Sequence, residues 1–342
     1  MCMKRINRYY LATFVSIAVL VGIIVFGEVN NIFLSPEKDI GKTQFEDDLI
    51  VVGVSQLGSE SVWRTANTKS VEAALSRENG FFAIINNARQ NQDNQIKAVR
   101  DFISQGVDCI VLAPVTESGW ENVLEEAKVA GIPVILIDRT VDIKDASLYT
   151  THIGSDMHME GVRAGEWLAR KTSGTDEEIN IVILQGTPGS SAQIGREKGF
   201  YEIANQNPDW NILEVADADF TTTKGKEEMA RLLSEYEDID VVFSENDDMT
   251  FGAIEAINEA GLTCGIDGDI TIISFDAGYE ALVNVYNGYI DVDVECNPLF
   301  GDLLADVIKK IDSSQPIGKE YIVDEQVFTK DNVEEALPDR EY

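Results

Sequence analysis

From residue 49 onward the chain alternates between short β-branched apolar runs and stretches of helical spacing. The runs LIVVGVSQ (49–56), FFAIIN (81–86), DCIVLAP (108–114) and IPVILID (132–138) have strand length and are bounded by turn residues. Between them, NQIKAVRDFISQG puts Ile96, Val99, Phe102 and Ile103 on one helical face and stops at Gly106. WENVLEEAKVAG does the same with Val123, Leu124, Ala127 and Val129 before Gly131. Strand, helix and strand at this spacing predict parallel βαβ units, because parallel neighbours need a crossover long enough to return over the sheet.

The alternation restarts after LYTTHIG. INIVILQ (179–185), WNILEVA (210–216), DVVFSE (240–245) and ITIISFD (270–276) read as strands, with helices near 156–173, 192–206, 224–236 and 249–261. Two such similar halves predict two α/β lobes and not one sheet of ten strands. The tail adds a strand (289–295), a helix (298–311) and a last strand (320–328), so the chain should cross between lobes more than once.

The net charge of −33, from 27 basic and 60 acidic residues, excludes a surface built to grip phosphate backbones, and no nucleic-acid partner is expected. Lys4, Arg5 and Arg8 precede the charge-free segment 10–26, which reads as an export signal or an uncleaved anchor with its positive end inside. Residues 28–48 follow as a polar tether, and the folded part is expected outside the cytoplasmic membrane. Cys2, Cys109, Cys264 and Cys296 show no metal or redox spacing and are expected as small apolar residues, so neither a metal nor a cofactor is expected.

Two apolar strands end abruptly in charge, at Asp138–Arg139 and at Asp276. In open parallel sheets, ligands bind outside the carboxyl ends of the strands, where side chains leave the packed layer. Collecting such positions gives Ser59, Glu60, Trp63 and Arg64 after the first strand, Arg89 and Gln90 after the second, and Asp138 and Arg139 after the fourth. The second half supplies Ser190, Arg196, Asn246 and Asp276, with Glu295 as a further candidate. Carboxylates that accept and guanidinia or amides that donate can satisfy one hydroxyl from both sides, and an indole offers a face to a sugar's C–H side. Asp276 equally suits a helix N-cap, Asp247 and Asp248 suit a helix start, and Trp63 suits core packing.

VGVSQLGSESVWR, QNQDNQIKAVRDFISQGVDCIVLAPV, AGIPVILIDR, GREKGF, NDDM and SFDAG, in this order, resemble the periplasmic sugar-binding proteins of the ribose and galactose type, and SESVWR resembles their galactofuranose-binding subgroup. The resemblance spans about residues 49–337. It implies two Rossmann-like lobes with parallel sheets, a three-crossing hinge and ligand in the interlobe cleft. Lobe boundaries are expected at 49–151 plus 297–322 and at 152–296 plus 323–342. By motif match, the resemblance implies sugar-binding positions at Asp138, Arg139, Arg196, Asn246 and Asp276, with Trp63, Arg64 and Gln90 from the first lobe. Where many relatives carry a hinge Gln before Asn-Pro, this chain has Cys296.

The implied function is monosaccharide capture for a membrane permease of an ABC transporter, by a monomer that is not an enzyme. A sensory module presenting the sugar to a receptor or kinase would share the site. A sugar-responsive repressor would need a basic helix-turn-helix where the apolar segment stands. A glycosidase would need a nucleophile and base that no motif supplies.

Overall fold

The computed structural model describes residues 49–175 and 177–342; Cys2, the apolar segment 10–26 and the tether lie outside the described residues. Among the described residues, two six-stranded sheets carry the fold. The first holds β1 (Ile50–Gln56), β2 (Phe81–Asn87), β3 (Cys109–Leu112), β4 (Val134–Ile137), β5 (Thr151–Gly154) and β11 (Glu320–Ile322), in the order β11-β5-β4-β3-β1-β2 and parallel throughout. The second holds β6 (Ile179–Gln185), β7 (Trp210–Asp217), β8 (Val241–Ser244), β9 (Thr271–Asp276), β10 (Val292–Glu295) and β12 (Val327–Thr329), in the order β12-β10-β9-β8-β6-β7. Only β12 runs antiparallel there. The two orders are the same pattern repeated, with the switch in direction at β1/β3 and at β6/β8.

The central strands explain the unbroken apolar runs of the sequence. Helices cover both faces, so every residue of β3, β4 and β8 is buried. Between strands run α1 (Val62–Ala74), α2 (Gln92–Gln105) and α3 (Glu121–Val129) in the first lobe, and α4 (Met157–Lys171), α5 (Ser191–Ala204), α6 (Thr222–Glu235), α7 (Asp247–Glu259) and α8 (Tyr279–Asn287) in the second. Later in the chain, α9 (Gly301–Asp312) returns to pack on α1, and α10 (Val333–Ala336) packs on α8. The chain passes between the sheets three times: after β5, after β10 and after β11.

Two strands differ from the sequence expectation. β5 holds only one strongly apolar residue, Ile153, and is a strand because β4 and β11 flank it. The expected strand 320–328 is two strands in different sheets, broken by the polar VDEQ that makes the third crossing.

One helix contact positions the second lobe's arginine. Gly161 of α4 meets α5 so closely that a Cβ there would lie 2.0 Å from the Arg196 carbonyl oxygen, and a Cβ at Gly199 would lie 2.0 Å from that of His158. The obstacles are backbone, so only glycine lets α4 carry Glu160 against Arg196. Gly161→Ala is expected to push the helices apart and cost about 1–3 kcal/mol, read as a lower urea midpoint at unchanged m-value.

Candidate functional site

In the first lobe Ser61 caps α1, its Oγ accepting the Arg64 N–H at 3.0 Å, which sets Arg64 in the first turn with its side chain buried. The guanidinium donates from Nε to Glu60 Oε1 at 2.9 Å and from Nη2 to Asp138 Oδ2 at 2.5 Å. Asp138, just past β4, has φ of 61°, a left-handed conformation that asparagine and aspartate tolerate better than most residues. Arg139 donates from Nη1 to the Val115 carbonyl at 3.1 Å, lies 3.9 Å from the carboxylates of Glu60 and Asp138, and leaves its buried Nε without a protein partner.

The second lobe mirrors this pairing. Arg196 donates from Nε to Glu160 at 2.7 Å, from Nη2 to Asp276 at 3.3 Å and from Nη1 to the Glu245 carbonyl. Asp276 ends β9 with φ of 108°. Its carboxylate meets Arg196 and does not cap α8, whose N-cap is Gly278. Asn246 does cap α7, with Oδ1 accepting the Met249 N–H at 2.9 Å, and also lines the cavity described below.

Each of the three arginines lies over an aromatic ring: Arg64 over Trp63 at 4.7 Å, Arg139 over Phe220 at 5.2 Å and Arg196 over Phe275 at 4.9 Å. A desolvated cation over a ring gains about 2 kcal/mol, and the ring fixes the guanidinium plane. Burial opposes the charge of Arg64 and Arg196, but their carboxylates outweigh it and hold both above the ordinary arginine range. Arg139, with no close carboxylate, is pushed down to about 10 by burial and by Arg64. Glu60 stays low despite burial because Arg64 and Arg139 flank it, whereas burial pushes Asp276 up against the pull of Arg196.

These side chains enclose a cavity of about 30 Å³, walled by Glu60, Ser61, Trp63, Arg64, Asp138 and Arg139 from the first lobe and by Met157, Ala192, Arg196, Phe220, Asn246 and Asp276 from the second, with Cys296 at a crossing. Its size suits about two waters. The mouth is held by bonds between lobes: Val62 N–H to Asp248 Oδ2 at 3.0 Å, Glu117 N–H to the Gly189 carbonyl at 2.9 Å and Thr140 N–H to Ser191 Oγ at 2.9 Å. A larger guest enters only if the lobes part.

Eight of the sequence-derived residues meet here: Glu60, Trp63, Arg64, Asp138, Arg139, Arg196, Asp276 and the capping Asn246. Ser59 is exposed, and Arg89 and Gln90 form an exposed left-handed turn whose Gln90 side chain lies along Gly58, outside the cavity. Ser190 is buried as the N-cap of α5. Glu295 pairs with Arg340 at 2.6 Å and does not line the cavity. Sequence reasoning missed Glu160 and Phe220. Glu160 was visible as a carboxylate on the apolar stripe of Met157, Ala164 and Leu168, and Phe220 follows a strand end, β7, that supplied no candidate.

Residues 51–310 match the family model described as periplasmic binding protein domain. The chain belongs to the periplasmic binding proteins. It is 42% identical over 264 residues to the galactofuranose-binding protein YtfQ of Escherichia coli K12, covering 76% of this chain and 81% of that one. A Mycobacterium smegmatis protein solved in complex with β-D-fucofuranose matches with a TM-score of 0.82 at 42% identity, covering 85% of this chain and 95% of the other. The periplasmic binding protein of the arabinose ABC transporter of Shewanella sp. ANA-3, bound to α- and β-L-arabinofuranose, matches with a TM-score of 0.80 at 39% identity, over 85% and 95%.

In this periplasmic binding protein the three crossings are clasped by one side chain. Glu325, from the third, accepts the Ser155 hydroxyl of the first and the Asn297 N–H of the second at 3.1 Å. Glu160, Cys296 and Glu325 bring ligand-type atoms within 4.8 Å of one another. Glu160 and Glu325 already accept hydrogen bonds from Arg196 and Ser155, and burial keeps the Cys296 sulfur a thiol, which makes this a hydrogen-bonded clasp. Burial, then Glu160, pushes Glu325 up to about 8. A carboxyl raised in the folded state contributes stability below its unfolded value that is lost as pH rises through the folded one. Thermal stability is therefore expected to fall between about pH 4.5 and pH 8, and Glu325→Gln to flatten that fall, as checked by melting curves across the range.

Proposed function

We propose that this protein captures a monosaccharide in furanose form outside the cytoplasmic membrane and delivers it unaltered to the permease of an ABC importer. The observation that carries the reading is the convergence, from two lobes, of three ring-backed arginines and their carboxylates on one cavity. Each carboxylate accepts a hydroxyl hydrogen while the neighbouring guanidinium donates to the same oxygen, and each such bond gains about 1.5–3 kcal/mol. Trp63 and Phe220 offer faces to the ring's C–H side. The furanose ligands of the relatives named above support the ring form. The N-terminal apolar segment would hold the chain at the membrane, and one copy suffices.

Capture works by hinge closure. The open lobes admit the sugar, and a guest touching Asp138 and Arg139 on one side and Arg196 and Asp276 on the other draws the lobes together around itself, shifting the population toward a closed form wider than the empty one by the volume of the ring. About 5.5 kcal/mol of differential affinity turns a mostly open population into a mostly closed one, within reach of two or three interlobe charged hydrogen bonds.

Asp276→Asn, which preserves shape, is expected to weaken binding of the preferred sugar by roughly ten- to a hundredfold at unchanged fold; calorimetry returning an affinity within about threefold of the wild type removes Asp276 from the site. The hinge has its own test. A Cβ at Gly189 would lie 3.9 Å from that of Thr116 across the mouth, within the range of a disulfide. The oxidised Thr116→Cys/Gly189→Cys double variant is expected to neither take up nor release sugar, with exchange restored by reductant.

A further inference from the structure

Beside the central cavity lies a second one of about 190 Å³, some six times larger. Trp63 of the first lobe and Asp276 of the second wall both. The partition is a seam between lobes in which the main chain of Cys296 also stands, its N–H donating to the Asp276 carbonyl at 3.4 Å. Trp63 is pinned in it by an indole N–H bond to the Cys296 carbonyl at 2.5 Å. The far walls are apolar and aromatic, with Val62, Phe251 and Tyr279, and they open to solvent through Val62 and Tyr279, which are 59% and 53% exposed. Glu280 also lines it.

We propose that this cavity is a second sugar subsite, so that the ligand class includes furanosyl disaccharides. The inference rests on the monosaccharide reading above: the first ring occupies the central cavity, the glycosidic oxygen passes between Trp63 and Asp276, and the second ring lies against Phe251 and Tyr279. A sugar suits such a place because one of its faces is C–H and its edge is hydroxyl. The aromatic walls take the face, Glu280 accepts from the edge, and the nearby carboxylates repel phosphorylated or acidic sugars. A bridge one atom wide needs little widening of the seam.

Val62 and Tyr279 do not line the central cavity, and Val62 holds the seam through its main-chain N–H alone, so both side chains can be changed without touching the first subsite. Calorimetry would compare L-arabinose and methyl β-D-galactofuranoside with the β-(1→5)- and β-(1→6)-linked galactofuranosyl disaccharides. At least one disaccharide is expected to bind about tenfold tighter than the better single ring. Val62→Trp, which fills the cavity, and Tyr279→Ala, which removes its wall, are expected to abolish that gain while leaving single-ring affinity within about twofold. Disaccharides no tighter than single rings, or a gain that survives both variants, overturn the subsite alone. Failure of every sugar to bind the wild type overturns the monosaccharide reading, and the subsite with it.

Discussion

The structure depends on compensating buried cations where parallel strands run out. Three guanidinia are held out of water at the facing strand ends, and a buried charge is tolerated only with partners in good geometry. Arg64 and Arg196 each engage two carboxylates, a task for which the planar fork of arginine fits and the point charge of lysine does not. Arg139 is the exception. It has a carbonyl, a ring and only distant carboxylates, and its Nε is unpaired. The least satisfied cation thus faces the cavity from the lobe that contributes most of the polar wall.

This compensation demands unusual backbone. Asp138 and Asp276 both have positive φ, and non-glycine residues in strained conformations cost of order 1–3 kcal/mol and persist only when their surroundings impose them. The left-handed turn swings each carboxylate off the strand direction and toward an arginine. Glycines carry the complementary burden in the helices: the close crossing at Gly161 and Gly199 lets Glu160 reach Arg196.

Much of this was legible in the chain. The repeated strand–helix alternation predicts two α/β lobes because buried parallel strands must be continuously apolar, and an abrupt Asp-Arg after such a run marks a strand end. What stayed hidden depends on tertiary neighbours. β5 is polar and exists because two strands flank it. Glu160 acts through a partner 36 residues away. Arg89 and Gln90 fit the pattern of strand-end polar residues equally well, and only the direction of their turn separates them from the cavity. Asn246 shows that a capping role and a place in the cavity wall do not compete, since one side chain does both.

The bonds that hold the mouth share a trait. At Val62, Glu117 and Thr140 the first lobe contributes a main-chain N–H, and any residue except proline supplies one. Latching in that lobe is thereby independent of side-chain identity. Mutation at these first-lobe positions can rewrite which guest is favoured without loosening the mouth, while Asp248 and Ser191 on the other side are held to their side chains.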